Sequence, residues 1–515
     1  MKGIISSKFQ ADYVTDVLVV GYGGAGAVCA VTAYDSGAEV TIIEKMDQGG
    51  GATRLSSGGI FVAKDEEFAD YLDKISQHRT RRDVLEVYAE NDRRLVEDME
   101  AFGLSVSFWK GNSQEVSVSY PPLGRPSWPK VKGGNLIRVH ATDPEEKPVD
   151  PDTWAKMTNN ERVWANGRTY GVHLWNQLKA ITESRDIDIQ YNVRARELIQ
   201  NEKGEVVGLI AEKDGRQVVY KARKAVIMCT GGFGSNEQMK ENYLSAPFVY
   251  LGTNDFATGD GQIMCQKAGA RMWHMNAACG QIAFKAPEVD QAFQVRAVDE
   301  AFVWVDKLGR RYVNEVTEVL HNAWRNASLF DPHNNMEDGK DWPRVPIYMI
   351  FDESMRQKAP ISRDWRPNND YNWSLDNTEE IKKGWIIKAD SLEELAEKTG
   401  MEASVLELTI AKFNEACRTG ADEFGRDPKT MKPIRHAPYY AMPWVPCLIS
   451  TCGGAEHDAD SRVVDYEGNV IPRLYAVGEV STAVGWLYEA GWGHSEQFIF
   501  GRIAGANAAG EIPLD

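Results

Sequence analysis

The chain lacks any pair of cysteines at C-x-x-C spacing and any C-x-x-C-H motif. Its seven cysteines, Cys29, Cys229, Cys265, Cys279, Cys417, Cys447 and Cys452, are scattered. That pattern gives no ligand set for structural zinc, an iron–sulfur cluster or attached haem, and no metal is expected. A sparse, odd set of thiols points to a reducing, cytoplasmic setting. The chain also lacks a run of Lys and Arg, and its formal net charge is −17. Nucleic acid is thereby excluded as an expected partner, because phosphate binding needs a concentrated basic face. No apolar stretch is long enough to cross a bilayer, so no transmembrane segment is expected. Residues Met1 to Tyr13 have neither the apolar core of a signal peptide nor a twin arginine. No internal repeat or low-complexity tract is visible.

What is present is concentrated at the two ends of 515 residues, a length that suits two or three domains. Asp16 to Gly21 is a continuous apolar run entering glycines, the pattern of a buried parallel strand. Ala25 to Ser36 then reads as a helix of small residues, ended by Gly37, and Glu39 to Glu44 as a second strand. This is a βαβ unit with Gly21-x-Gly23-x-x-Gly26 at its turn. Gly21 permits the turn, Gly23 and Gly24 let backbone N–H groups approach a pyrophosphate, and Gly26 allows close helix packing. Ala25 opens the helix, whose N-terminus supplies partial positive charge. Glu44 stands where a carboxylate accepts from ribose hydroxyls and disfavours a 2′-phosphate, and Lys45 follows it.

Further glycine-rich segments point to the same ligand. Gly49 to Gly59 includes Gly50, Gly51, Ala52, Thr53, Ser57, Gly58 and Gly59. So many glycines cost conformational entropy, and small hydroxyl side chains suit backbone packed against a flat ring and a pyrophosphate. Ala225 to Gly234 is a second strand running into glycines, at Thr230, Gly231 and Gly232. Thr258-Gly259-Asp260-Gly261 is another tight turn before a helix. Leu474 to Glu479 ends in Gly478-Glu479, as chains that bind FAD usually close their site. Between these segments, Glu66 to Phe102 and Gly171 to Ser184 read as helical. Trp109 to Trp164 reads as a long ordered excursion, and Asp186 to Val226 as β-structure with a hairpin at Lys213 to Arg216. From about Trp273 to Tyr440 charged helices alternate with aromatic strands such as Ala301 to Val305 and Pro346 to Phe351. The expected division is an FAD-binding domain over 1–272, an inserted domain over 273–440 and a return to the first domain over 441–515. The last helix is expected to start near Gly493.

These segments, with Gly309-Arg310-Arg311-Tyr312-Val313-Asn314-Glu315, resemble the fumarate reductase and succinate dehydrogenase flavoprotein superfamily. The resemblance implies an α/β fold: a Rossmann-like FAD-binding domain of the glutathione-reductase type, interrupted by an α+β capping or catalytic domain. It implies that Glu44 binds ribose, that Val193 meets the adenine side through its backbone, and that Glu479 meets the ribitol or pyrophosphate region. Ser495, at the start of the last helix, joins the expected cofactor contacts. Where succinate dehydrogenases tether flavin through histidine this chain has Ala52, so non-covalent FAD is expected.

The same resemblance separates substrates. The dicarboxylate enzymes place an arginine shortly after Asn-Glu, histidines before a Gly-Gly pair, and a clamping arginine before the last helix. The matching positions here are Val319, the stretch Leu448 to Cys452, and Tyr488, none of them cationic. A buried carboxylate without partners is costly, which disfavours fumarate. Tyr488-x-x-Gly491 instead resembles the ketosteroid dehydrogenases of the superfamily. That likeness implies hydrogen transfer across a C–C bond next to a carbonyl, in a 3-ketosteroid or similar bulky enone. Hydride passes through flavin N5, and Tyr488 carries the proton. The Gly491 N–H would polarise the carbonyl. A phenol with an ordinary pKa of about 10 needs help to act as a base. His321 and Tyr120 are candidates for the second proton group, beside the readings of a solvated helix histidine and of packing against prolines. His494 could touch substrate or cap the helix. Trp109, Trp128, Trp324, Trp486 and Trp492 could line a flat apolar pocket or serve as core. With no haem motif and no second complete fingerprint, electrons are expected from a separate donor or acceptor. Two alternatives stand beside this reading. One is reduction of an unsaturated carboxylic acid other than fumarate, with Arg325 or His321 holding one carboxylate. The other is a non-catalytic electron-transfer flavoprotein subunit.

Overall fold

The computed structural model describes residues 10–108, 131–134, 136–142, 170–250, 256–288, 292–293, 295, 297–316, 320–331, 342–362, 371, 373–489 and 491–514. The predicted βαβ unit forms as β1 (Tyr13–Val20), α1 (Gly24–Asp35) and β2 (Val40–Ile43). Val17, Leu18, Val19 and Val20 are buried because a parallel strand is covered on both faces. β1 runs parallel to β2 on one side and to the long strand Arg216–Met228 on the other. Asp188–Gln190 extends the sheet beyond β2, and Val470–Ala476 extends it beyond Arg216–Met228, both parallel. Arg462–Val464 closes that edge antiparallel to Val470–Ala476.

This register explains why both ends of the chain serve one site. Val20 pairs with Met228, and Met228 pairs with Ala476, so three strands end level with one another. Gly21, Cys229 and Val477 therefore leave the sheet at the same edge. Their N–H groups continue the ladder to Ile43, Val20 and Met228 at 2.8, 2.8 and 2.9 Å. The carboxyl ends of parallel strands are where such sheets bind ligands. The predicted hairpin forms between Val206–Lys213 and Arg216–Met228, with Asp214 and Gly215 at φ 50° and 72°, as a two-residue turn requires.

A second, largely antiparallel sheet is built on Tyr439–Thr451. Ala278–Lys285 pairs along one side of it and Ile347–Asp352 along the other, with Phe302–Val305 outside Ile347–Asp352. A core including Phe284, Phe293, Trp373, Trp385 and Trp444 packs against this sheet. The motif Gly309 to Glu315 has a structural task here. Arg311 donates to both carboxylate oxygens of fully buried Glu315 at 2.7 and 2.9 Å and also pairs with Asp422. Arg426 reaches the same Glu315 at 3.2 Å. Each buried charge is thus paired, as burial demands.

The strand Tyr439–Thr451 links the two regions. Its last residue, Thr451, pairs with Ala278 in the second sheet and hydrogen-bonds Glu479 beside the first. The helix Trp492–Gly510 packs along α1, bringing its N-terminus toward the cofactor edge. Within the expected excursion, Leu136–Ala141 is a strand between Gly59–Ala63 and Val106–Phe108. None of the helices among the described residues is long and apolar enough to cross a membrane.

Candidate active site

The turn after β1 approaches its neighbours closely. A Cβ on Gly26 would stand 2.0 Å from the Gly21 carbonyl oxygen, so no side chain fits there. The N-terminus of α1 carries no side-chain cap and no acid in its first turn, which leaves its N–H groups directed at a ligand. Among the described residues Gly24 N–H is engaged by a side chain, donating to Thr53 Oγ1 at 3.2 Å. Gly50 donates to the Tyr22 carbonyl at 2.7 Å, which seats the glycine-rich segment beside the turn. That segment is ordered: Gly51–Leu55 forms a short helix and Gly59–Ala63 a strand.

Glu44 stands at the end of β2. It accepts from Tyr22 N–H at 2.8 Å and Met46 N–H at 2.9 Å, and Val193 donates its N–H to the Glu44 carbonyl at 2.9 Å. Asp260 receives a bidentate pair from Arg194 at 2.9 and 3.0 Å, and Lys45 donates to Thr258 at 2.8 Å. Burial lowers the Lys45 pKa, with Asp260 opposing. On the far side, Glu479 is buried and accepts from Thr451 N–H at 2.8 Å and Thr451 Oγ1 at 3.0 Å. Burial raises its carboxyl to about 7. A Cβ on Gly232 would overlap that carboxylate at 2.0 Å. Thr230 Oγ1 is buried and has no hydrogen-bond partner among the described residues. An uncapped helix, an orphaned hydroxyl and close glycine turns fit a dinucleotide. These residues would hold FAD.

A hydrogen-bonded chain joins this cradle to the last helix. Thr53 Oγ1 meets Gln497 Oε1 at 3.1 Å, and Gln497 Nε2 meets His494 Nδ1 at 3.0 Å. His494 Nε2 meets Ser56 Oγ at 2.9 Å, while Ser56 donates to the Thr53 carbonyl and accepts from Gly58 N–H. The directions require a neutral His494 protonated on Nε2. Burial, with Arg138 nearby, pushes its pKa down to about 4. Ser495 is fully buried, and its hydroxyl donates to the Phe61 carbonyl at 2.8 Å.

Tyr488 and His321 are brought together, with ring centroids 5.3 Å apart. Trp492 closes another side of Tyr488 at 5.1 Å. Ala277, Cys279 and Cys452 pack beneath it. Burial in this enclosure pushes the phenol well above its usual pKa, with Cys279 and Cys452 adding to the shift. The Gly491 N–H hydrogen-bonds the phenol and draws the value back. Gly491 adopts φ 95°, and a Cβ there would stand 2.4 Å from the Phe61 ring. Only glycine suits that conformation and that gap.

Sequence reasoning missed Asn322. Its amide accepts from Tyr488 N–H at 3.2 Å and donates to the Tyr488 carbonyl at 3.0 Å. It stands on the 3-10 helix Leu320–Ala327, beside His321. Cys279, within a strand, and Cys452, just past the end of one, were missed as well, since a lone cysteine carries no signal. Tyr120, Trp109, Trp128 and Val319 lie outside the described residues. No group of three or more metal-ligating side chains occurs among the described residues.

Comparison with known proteins agrees with this architecture. A family model described as FAD binding domain matches residues 16–492. An NADH:acrylate oxidoreductase of Vibrio harveyi is 28% identical, over 96% of this chain and 50% of that protein. The chain thus spans half the length of that relative. A 3-oxosteroid 1-dehydrogenase of Mycolicibacterium smegmatis is 26% identical, over 91% of this chain and 92% of that one. Among solved structures, a 3-ketosteroid delta1-dehydrogenase from Sterolibacterium denitrificans superposes with a TM-score of 0.76 at 22% identity. The match covers 96% of this chain and 99% of that one, and it establishes the fold. With a cradle shaped for a dinucleotide and a family match along nearly its whole length, the chain belongs to the FAD binding domain family of flavoproteins, alongside fumarate reductases and 3-oxosteroid dehydrogenases.

Proposed function

We propose that the protein is an FAD-dependent oxidoreductase that moves hydrogen across a C–C bond next to a carbonyl. A 3-ketosteroid or similarly bulky enone is the favoured substrate class. The observation that carries this reading is the enclosure of Tyr488 by Cys279, Cys452, Trp492 and His321. None of these neighbours carries a permanent charge, so the enclosure around Tyr488 suits the flat, uncharged enone portion of a substrate better than a carboxylate of fumarate. Bound non-covalently, FAD supplies reversible hydride exchange at N5.

The residues of this chain supply the proton and the orientation. Burial keeps the Tyr488 phenol protonated, the form that the reductive direction requires. A phenol so placed donates when negative charge develops on the neighbouring carbon. The Gly491 N–H stabilises the phenolate left behind, and His321, in contact with the ring, is the group placed to return the proton. Asn322 is a positioning residue, because it fixes the backbone on both sides of the Tyr488 Cα. Electrons come from a separate donor or leave to a separate acceptor. The relatives named above, a dehydrogenase and reductases of conjugated C=C bonds, support the reaction class.

The test is Tyr488→Phe. The variant keeps its FAD, and reoxidation of its reduced flavin by an enone falls by two orders of magnitude or more. An unchanged rate would remove Tyr488 from the mechanism.

A further inference from the structure

Two arginines beside the site have no acidic partner among the described residues. Arg79 and Arg325 both lie against the Trp486 indole, with their guanidinium carbons 3.8 and 4.5 Å from its centroid. Arg325 also lies over Trp324 at 4.5 Å, and it donates one N–H to the Trp486 carbonyl. Neither arginine forms an ion pair among the described residues, although the chain holds 75 Asp and Glu against 58 Lys and Arg. Elsewhere arginines are matched: Arg194 with Asp260, Arg271 with Glu456, Arg311 with Glu315 and Asp422. The Arg325 Nε is buried and has no hydrogen-bond partner among the described residues.

The position of the pair is set by the backbone around Tyr488. Leu487 donates its N–H to the Ile75 carbonyl at 3.0 Å, which brings the segment holding Arg79 alongside Trp486. On the other side, Asn322 grips Tyr488 from the same 3-10 helix that carries Arg325. Burial pushes the Arg325 guanidinium down to about 10, with Cys452 opposing and Arg79 adding to the shift. Cys452 is also a neighbour of Tyr488. A guanidinium held close to a like charge, partly desolvated and unpaired, is the arrangement that a bound anion relieves.

We propose that Arg79, Trp486 and Arg325 form a binding site for a carboxylate carried by the substrate away from its reacting bond, so that the substrate is an anionic enone rather than a neutral one. The planar guanidinium fork matches a carboxylate, and stacking on Trp486 holds both guanidinium groups in place. The carboxylate is held two residues from Tyr488, whose enclosure without permanent charge receives the enone. This assignment rests on the substrate lying against Tyr488.

The test is an equilibrium one and needs no turnover. Oxidised holoenzyme is titrated calorimetrically with benzoate and with benzamide, its neutral isostere. The expected result is at least tenfold tighter binding of benzoate, with that preference reduced several-fold in Arg79→Gln and abolished in Arg325→Gln. Arg79→Gln serves as the safeguard, because Arg79 is exposed and its side chain makes no hydrogen bond among the described residues. Arg325→Lys, which keeps charge but not the fork, should recover part of the preference. Equal binding of acid and amide, or a preference unchanged in both glutamine variants, would overturn the site. Either result leaves the enone reading standing, which is judged separately by flavin reoxidation.

Discussion

Replacing Asn322 with leucine tests whether the catalytic tyrosine is held from outside its own segment. Leucine is close to asparagine in size, and the site is only 4% exposed, so little packing is lost. What is lost is both hydrogen bonds to Tyr488, at 3.2 and 3.0 Å. A buried backbone group left without a partner costs about 1–3 kcal/mol, so the pair together costs about 2–6 kcal/mol. If that energy holds Tyr488 in its reacting position, kcat falls by about 30-fold at the low end and by more than about 10,000-fold at the high end, at about 1.36 kcal/mol per tenfold. The cofactor cradle is made by other residues, so flavin content should stay at the parent level. The assay is stopped-flow reoxidation of reduced flavin by an enone, with flavin content from the absorbance ratio after purification. A kcat within twofold of the parent, with flavin retained, would refute the positioning argument. Loss of flavin along with activity would show instead that the helix Leu320–Ala327 supports the whole site.

Two other perturbations follow from the geometry. Gly26→Ala places a methyl group 2.0 Å from the Gly21 oxygen, so the purified variant should hold less than about a tenth of the parent's flavin. Full flavin content would contradict the close approach of helix and turn. Glu496 accepts from Ala483 N–H through one oxygen, while its other oxygen is buried without a partner, and burial raises its pKa from 4.5 to about 8. The folded state therefore binds a proton that the unfolded state releases. The stability this contributes is full below about pH 4.5 and is lost as pH rises through about 8. Glu496→Gln removes that dependence, so its stability relative to the parent should grow by up to about 4 kcal/mol between pH 5 and 8.5. Thermal unfolding across that range checks it, and a pH-independent difference would count against a protonated Glu496.

The cofactor half of the molecule was legible because its signals are local. The strand, glycine turn and helix from Asp16 to Ser36 are specified by neighbours in sequence, and the acid at Glu44 follows at one strand's distance. The hairpin at Asp214-Gly215 and the helix after Gly491 were equally local. Tyr488 and His321 were singled out separately, and only the fold shows that their rings meet. The remainder of the site was not readable for the same reason. Asn322, Cys279 and Cys452 come from three distant segments, brought together because Tyr439–Thr451 runs from the second sheet to the first. The chain from Thr53 through Gln497 and His494 to Ser56 likewise joins residues more than 400 positions apart. Glu315 and Arg311 were read as a family motif, and the structure gives them a buried ion network instead of a place at the pocket.

The central claim is the substrate class, and one experiment addresses it directly. The flavin is reduced without oxygen and mixed in stopped flow with a panel of neutral enones, enones bearing a distal carboxylate, simple enoates and fumarate. Rapid flavin reoxidation is expected with enones, and none with fumarate above the rate without acceptor. Rapid reoxidation by fumarate, with enones inert, would contradict it.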